Sequence, residues 1–120
     1  MKYMMMIASQ ESASDELPEL HEDERKELYG RIGAYWSEHR AAGRIVGGDE
    51  LQPSSTATTV RIAPDGGTSV TDGPFAEAKE MVGGYAILDV ADLDEAIRVA
   101  SGWPERGYGV LLEIRPIVDR

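Results

Sequence analysis

Cysteine is absent from this 120-residue chain. That excludes a disulfide framework, thiolate metal sites and a cysteine nucleophile. Histidine is nearly absent too, with only His21 and His39. Two separated histidines and scattered carboxylates form no recognised ligand spacing, so no metal is expected. Gly47-Gly48, Gly66-Gly67 and Gly83-Gly84 are isolated pairs rather than a phosphate-cradling loop, and no Gly-x-Ser-x-Gly elbow is present. No cofactor is therefore expected. Long apolar runs are also missing. Nothing approaches the ~18 residues of a membrane span. Met4-Met5-Met6-Ile7-Ala8 is too short for a signal-peptide core, and only Lys2 precedes it. Neither insertion nor export is expected, and a reducing cytoplasm is the expected setting. Positive charge is scarce: 12 Lys and Arg stand against 22 Asp and Glu, for a net charge of −10. Most of such a surface repels nucleic acid.

What is present fits one soluble domain over residues 1–120, with an ordinary 42% apolar fraction. Lys2 to Ala8 reads as a strand, and Ser9 to Pro18 as an acidic loop. A helix is expected from Glu22 to Ala42, with Leu28, Ile32, Tyr35, Trp36 and His39 on its buried face. Gly43 stands at its stop. Gly30 and Gly33 weaken its middle by ~1 kcal/mol each, which close packing on a sheet would justify. His39, near the helix C-terminus, is expected to gain from the dipole when protonated. Arg44 to Leu51 reads as a strand that Gly47-Gly48 bends or bulges. Ala57 to Ala63 and Thr68 to Thr71 form a hairpin about Pro64-Asp65-Gly66-Gly67. Gly84 to Val90 is an apolar strand. A second helix begins after Asp92, with a capping-box Glu95 and a buried face of Leu93, Ala96, Ile97 and Ala100. Val110 to Val118 is the last strand, with Pro116 suited to an edge.

The order β-α-β-(ββ)-β-α-β is an α+β, ferredoxin-like arrangement carrying an extra hairpin. Two helices cover one sheet face and leave the other open. Side chains alternate along strands. Ala86, Leu88, Val90, Val110, Leu112, Ile114, Thr58, Val60 and Ile62 are then expected to face the helices. The open face is expected to hold Thr59, Arg61, Tyr85, Ile87, Glu113 and Arg115. Such a face reads as a dimer interface with Arg–Glu pairs, a ligand pocket, or both. Arg61, Arg115 and Tyr85 together would suit a small carboxylate, because guanidinium is a two-pronged donor.

The most informative stretch is Asp72-Gly73-Pro74-Phe75-Ala76-Glu77-Ala78-Lys79-Glu80, followed by Gly83-Gly84-Tyr85. Turn chemistry explains Asp72, Gly73 and Pro74. It does not explain the crowding of Phe75, Glu77, Lys79 and Glu80. Asp72 can serve as a turn residue or as a general base; the three later charges can be solvated or tuned for proton transfer. Phe75 can plug the loop or line a ligand site.

This block, together with Lys2 to Ile7, Ala42 to Leu51, Thr58 to Arg61, Asp94 to Ile97, Trp103-Pro104 and Glu113 to Pro116, resembles the DGPF proteins. These are a branch of the YciI-related superfamily. The resemblance covers nearly the whole chain and implies a homodimeric α/β barrel built by pairing open sheets. It also implies lyase or isomerase chemistry of acid–base type on a small organic acid. The better-studied YciI branch is proposed to use a histidine–aspartate pair, with the histidine early in its long helix. Here that region falls near Arg31-Ile32-Gly33 and holds no histidine.

Two functions stay open at this level, beside a plain dimerisation module that takes no ligand and whose charged block is structural. One is a small-molecule-binding domain or cofactor-independent enzyme. Its catalytic candidates are Asp72, Glu77, Lys79 and Glu80; its ligand-binding candidates are Arg61, Phe75, Tyr85 and Arg115. The other is a regulatory partner of an extracytoplasmic-function sigma factor, a role that the resemblance implies. The stretch Glu11 to Glu27, with eight acids and two bases, would dock that partner, or simply form a solvated face.

Overall fold

The computed structural model describes residues 1–10, 21–74, 80–105 and 109–120. The side chains of Gln10 and Glu80 also lie outside that description.

β1 (Lys2–Gln10) is the central strand. Its alternation puts Tyr3, Met5 and Ile7 in the core and Met4, Met6 and Ala8 on the opposite face. It runs on through Ser9 and Gln10, where a loop was expected; the remainder of that loop lies outside the described residues. β1 pairs antiparallel with β5 (Glu80–Asp89) on one side and β6 (Val110–Pro116) on the other. β2 (Ile45–Glu50) completes the sheet against β5, giving the order β2-β5-β1-β6. This is the strand order expected of a split βαβ arrangement. Pro116 ends β6, an edge strand, where its missing N–H costs no ladder bond.

Both helices pack on the Tyr3-Met5-Ile7 side. The long helix α1 (Glu22–Ala41) contributes Tyr35, and half-buried Ile32 and Trp36 pack alongside. The helix stops through Gly43, whose φ of 76° suits a residue without a Cβ. The short helix α2 (Leu93–Ser101) is capped by Asp92, whose side chain accepts from the Glu95 N–H at 2.9 Å. Glu95 reaches back to the Ala91 N–H at 3.3 Å. The buried face of α2 is Ala96, Val99 and Ala100; Leu93 and Ile97, expected inside, are exposed. The helix meets the sheet through its smallest residues, so its larger apolar groups fall on the flanks. Met5 and Leu88 are the largest fully buried side chains, each worth about 1.5–3 kcal/mol of burial. Ala86, Leu88 and Val90 line this side as expected, with Leu112 and Ile114 packed against it.

The hairpin departs most from expectation. β3 (Thr58–Ile62) and β4 (Thr68–Asp72) form a separate two-stranded sheet and do not join the other four. The predicted faces are reversed there. Val60 and Ile62 are exposed, whereas Thr59 is buried with its hydroxyl donating to the Gly73 carbonyl at 2.6 Å. Strand alternation alone cannot say which sheet a strand enters. The radius of gyration, 16.3 Å, exceeds the about 14 Å of a compact chain this long.

Two bulges shape the sheet beside α1. β2 shifts register between Ile45 and Gly47, leaving Val46 as the extra residue. β5 shifts between the partners of Ile7 and Ala8, leaving out Gly83. Gly48 has φ of 127°, and a Cβ there would run into the Tyr85 carbonyl. Gly30 and Gly33 are different: among the described residues a Cβ at either meets no atom within 4 Å. The close packing expected at these two glycines is not observed. Gly33→Ala should therefore raise stability, by up to about 1 kcal/mol, whereas Gly48→Ala should cost about 1–3 kcal/mol. Urea denaturation of the two variants checks both signs.

Candidate functional site

The N-terminal half of α1 does not lie flat on the sheet. Between them opens a cleft of about 1020 Å³. Arg25, Leu28, Tyr29, Ile32, Gly33 and Trp36 line it from the helix at three- and four-residue spacing. Ile7, Gly84 and Val110 come from the sheet, with Trp103 and Glu105 from the segment after α2. The rim is the connection from Glu50 through Ser55. That connection is pinned to β5 by the Leu51 N–H on the Gly83 carbonyl (2.8 Å) and by the Ser54 hydroxyl on the Met81 sulfur (2.7 Å).

An aromatic cluster forms the back wall. The Tyr35 ring meets His39 at 4.4 Å and Trp103 at 5.1 Å, both edge-on, and Trp36 meets Trp103 at 6.4 Å. The Tyr35 hydroxyl donates to the Val99 carbonyl at 2.6 Å, tying α1 to α2. Burial pushes that phenol up to about 12, against a small lowering by Arg44. Trp103 is 5% exposed, and its indole N–H donates to Glu105 Oε1 at 3.2 Å.

Three carboxylates, Asp49, Glu50 and Glu105, and the Tyr29 phenol line the same cleft. Tyr29 Oη lies 3.5 Å from Glu50 Oε1, a long donor contact. The Glu50 charge raises the Tyr29 pKa, with burial adding to it. Burial also raises Glu105; the Trp103 bond opposes this and the Glu50 charge reinforces it. Glu105 thus holds its proton to higher pH than an ordinary carboxyl group, the property of a general acid. Among the described residues no group of three or more His, Cys, Asp or Glu is placed to hold a metal ion.

The residues singled out in the sequence lie elsewhere. Asp72 is exposed at the end of β4. Arg61 is exposed on the hairpin, apart from the open sheet face to which it was assigned. Tyr85 and Arg115 do share that face. Tyr85 stands opposite Met6, and Arg115 opposite Met4. Arg115 pairs with Glu113 at 2.8 Å, both largely exposed. Phe75, Glu77 and Lys79 lie outside the described residues, as does the Glu80 side chain; the Glu80 backbone begins β5, directly before cleft-lining Met81. Tyr29, Glu50 and Glu105 were not foreseen. The helical stripe could have revealed Tyr29, but its partner is 21 residues away.

These features define a two-layer α+β domain with one open sheet face and an aromatic-walled cleft on its helix side. The chain belongs to the YCII-related domain family, whose model matches residues 1–119. It is similar to the uncharacterized protein R00369 of Rhizobium meliloti (strain 1021), at 35% identity over 100 residues; the match covers 83% of this chain and 77% of that protein. No helix among the described residues is long and apolar enough to cross a membrane.

His39 takes a different role from the one expected. Arg44 Nε donates to its Nδ1 at 2.8 Å, so that nitrogen carries no proton. Burial, then the Arg44 charge, lowers its pKa. The neutral ring is the folded form, despite the helix C-terminus. A depressed folded pKa gives stability that is complete above the unfolded value and lost as pH falls through the folded one. The melting temperature should therefore fall on acidification below about pH 6.5, and His39→Gln should flatten that slope. An equally steep profile in the variant would refute this role.

Proposed function

We propose that this protein is a homodimeric small-molecule-binding domain that acts as an acid–base enzyme of lyase or isomerase type, without an organic cofactor. The observation that carries the reading is the one cleft lined by Tyr29 in contact with Glu50 and by Glu105 bonded to the Trp103 indole. Large concave sites with apolar walls and a few convergent polar groups are the usual places for ligands. Two carboxyl groups with different surroundings divide naturally between acid and base. Glu105, with the raised proton affinity, is the acid; Glu50, beside the Tyr29 hydroxyl, is the base. Gly33 adds support. A mid-helix glycine costs stability, and a Cβ at this one would meet no atom of the described residues within 4 Å, while its position lines the cleft. The Asp72 to Glu80 block leads directly into Met81 and the cleft-lining start of β5. Asp72, Glu77, Lys79 and Glu80 remain part of the proposal as that block.

The dimer rests on a second observation. The open sheet face carries half-buried Met4, Met6, Tyr85 and Ile87, and the hairpin exposes Val60, Ile62 and Val70. Two-stranded hairpins are at best marginally stable alone in water. A second copy laid on these surfaces would cover both. The sigma-factor reading has less support: Glu22, Asp23 and Glu24 occupy the first turn of α1, where acids already offset the helix dipole.

A thermal-shift screen of organic acids, lactones and aromatic metabolites tests the site. A ligand at 100-fold its dissociation constant should add about 2.7 kcal/mol. Glu105→Gln and Gly33→Leu should abolish the shift without lowering the unliganded melting point, and unchanged shifts in both would sink the cleft as the site. For the assembly, Ile87→Asp should convert a sedimenting dimer to monomer; an intact dimer in that variant would exclude the open face.

A further inference from the structure

The cleft's hydrogen-bonding groups are unbalanced, and the imbalance defines a ligand class. Two of its three aromatic donors, those of Trp103 and Tyr29, are already engaged, and the Trp36 indole is the third. The single Trp103 N–H is on Glu105 Oε1, and the Tyr29 hydroxyl is turned to Glu50 Oε1. The Ser54 hydroxyl on the rim is on the Met81 sulfur. Arg25, the one cation among the described lining residues, is exposed and has interactions of its own. The acceptors are in surplus. An ionised carboxylate offers about four lone-pair sites, a cation bound beside Glu105 favours its ionised form, and Glu50 and Glu105 each show one side-chain donor in place. The two carboxylates come from different elements, Glu50 from the end of β2 and Glu105 from beyond α2, and both line one cavity. Among the described lining residues, Asp49, Glu50 and Glu105 outnumber Arg25, so the charge that the cavity calls for is positive.

The walls specify the rest of the molecule. Tyr29, Trp36 and Trp103 supply rings, and Ile7, Ile32 and Val110 supply apolar surface. The bare Gly33 position leaves space on the helix side. Aromatic faces attract cations as well as flat apolar groups.

We infer that the cleft takes a protonated amine carried on a flat apolar body, with the Glu50 and Glu105 carboxylates as its acceptors, and that it rejects small carboxylates. This rests on the cleft being the ligand site, as proposed above. It departs from the organic-acid class that the sequence suggested through Arg61 and Arg115, neither of which lines the cleft. A carboxylate ligand would face three like charges, Asp49, Glu50 and Glu105, against Arg25 alone among the described lining residues.

Three probes of one size separate the possibilities: 2-phenylethylamine, phenylacetate and 2-phenylethanol, each titrated by thermal shift and by tryptophan fluorescence. The amine should bind at least about tenfold tighter than the alcohol, the scale of one charge-assisted hydrogen bond, and phenylacetate should not bind. Glu50→Gln and Glu105→Gln should each weaken the amine by about tenfold and leave the alcohol unchanged. Gly33→Leu should remove amine and alcohol together. Phenylacetate binding as tightly as the amine, and lost in Gly33→Leu, would overturn the ligand class while leaving the cleft as the site. Amine binding that survives Gly33→Leu would be attraction to the acidic surface and would overturn the inference. No shift with any probe would overturn both the class and the cleft.

Discussion

The Trp103 indole enters the core edge-on against Tyr35 and Trp36, while its N–H leaves the core for Glu105. Fold and cleft meet in this one side chain. The ring contacts hold the segment after α2 against α1, and the Tyr35 hydroxyl on the Val99 carbonyl closes the same junction. Edge-to-face pairs add about 0.5–1.5 kcal/mol each beyond burial. Loss of the indole would open a large void and release Glu105 together. The position of the carboxyl group is therefore coupled to the packing of the domain, and a shift of one moves the other.

The sheet side of the cleft depends on backbone rather than side chains. Gly84 sits on the core face of β5, and a Cβ there would lie 3.2 Å from the Asp49 carbonyl. The adjacent bulge at Gly83 turns the start of β5 under the Glu50–Ser55 rim. Bulges re-aim strands and often stand beside sites. Here two of them, at Val46 and Gly83, flank the strand pair that delivers Glu50 toward Tyr29.

Most of the fold was legible because it rests on periodicity. Tyr3, Met5 and Ile7 alternate against Met4 and Met6, and Gly43 and Asp92 mark helix boundaries where they were expected. The hairpin was legible as a hairpin, with Gly66 at φ 91° and Gly67 bonded to Asp65. Its separation from the main sheet was not, because register between distant strands leaves no local signal. Arg61 was misplaced for that reason. The cleft was hidden for a related one. Leu28, Ile32 and Trp36 read correctly as an inward stripe, but a stripe does not say where the helix stops touching the sheet. His39 shows a local rule overruled: a helix C-terminus favours the imidazolium, yet a guanidinium at 2.8 Å occupies the nitrogen that would take the proton.

α1 divides its work along its length. Its C-terminal half, through Tyr35 and His39, is packed, hydrogen-bonded and structural. Its N-terminal half, through Arg25, Tyr29 and Gly33, lines space. A helix that served packing alone would carry alanine at position 33, since a Cβ there is unobstructed and the gain is free of strain. Glycine at that place gives up stability and leaves volume, the usual direction of exchange at a functional site. The same division explains why the acidic face of this protein does not end at its surface. Half-buried Glu105 and the exposed rim carboxylates Asp49 and Glu50 line the volume beside that glycine, and they make its lining as selective in charge as the aromatic wall is in shape.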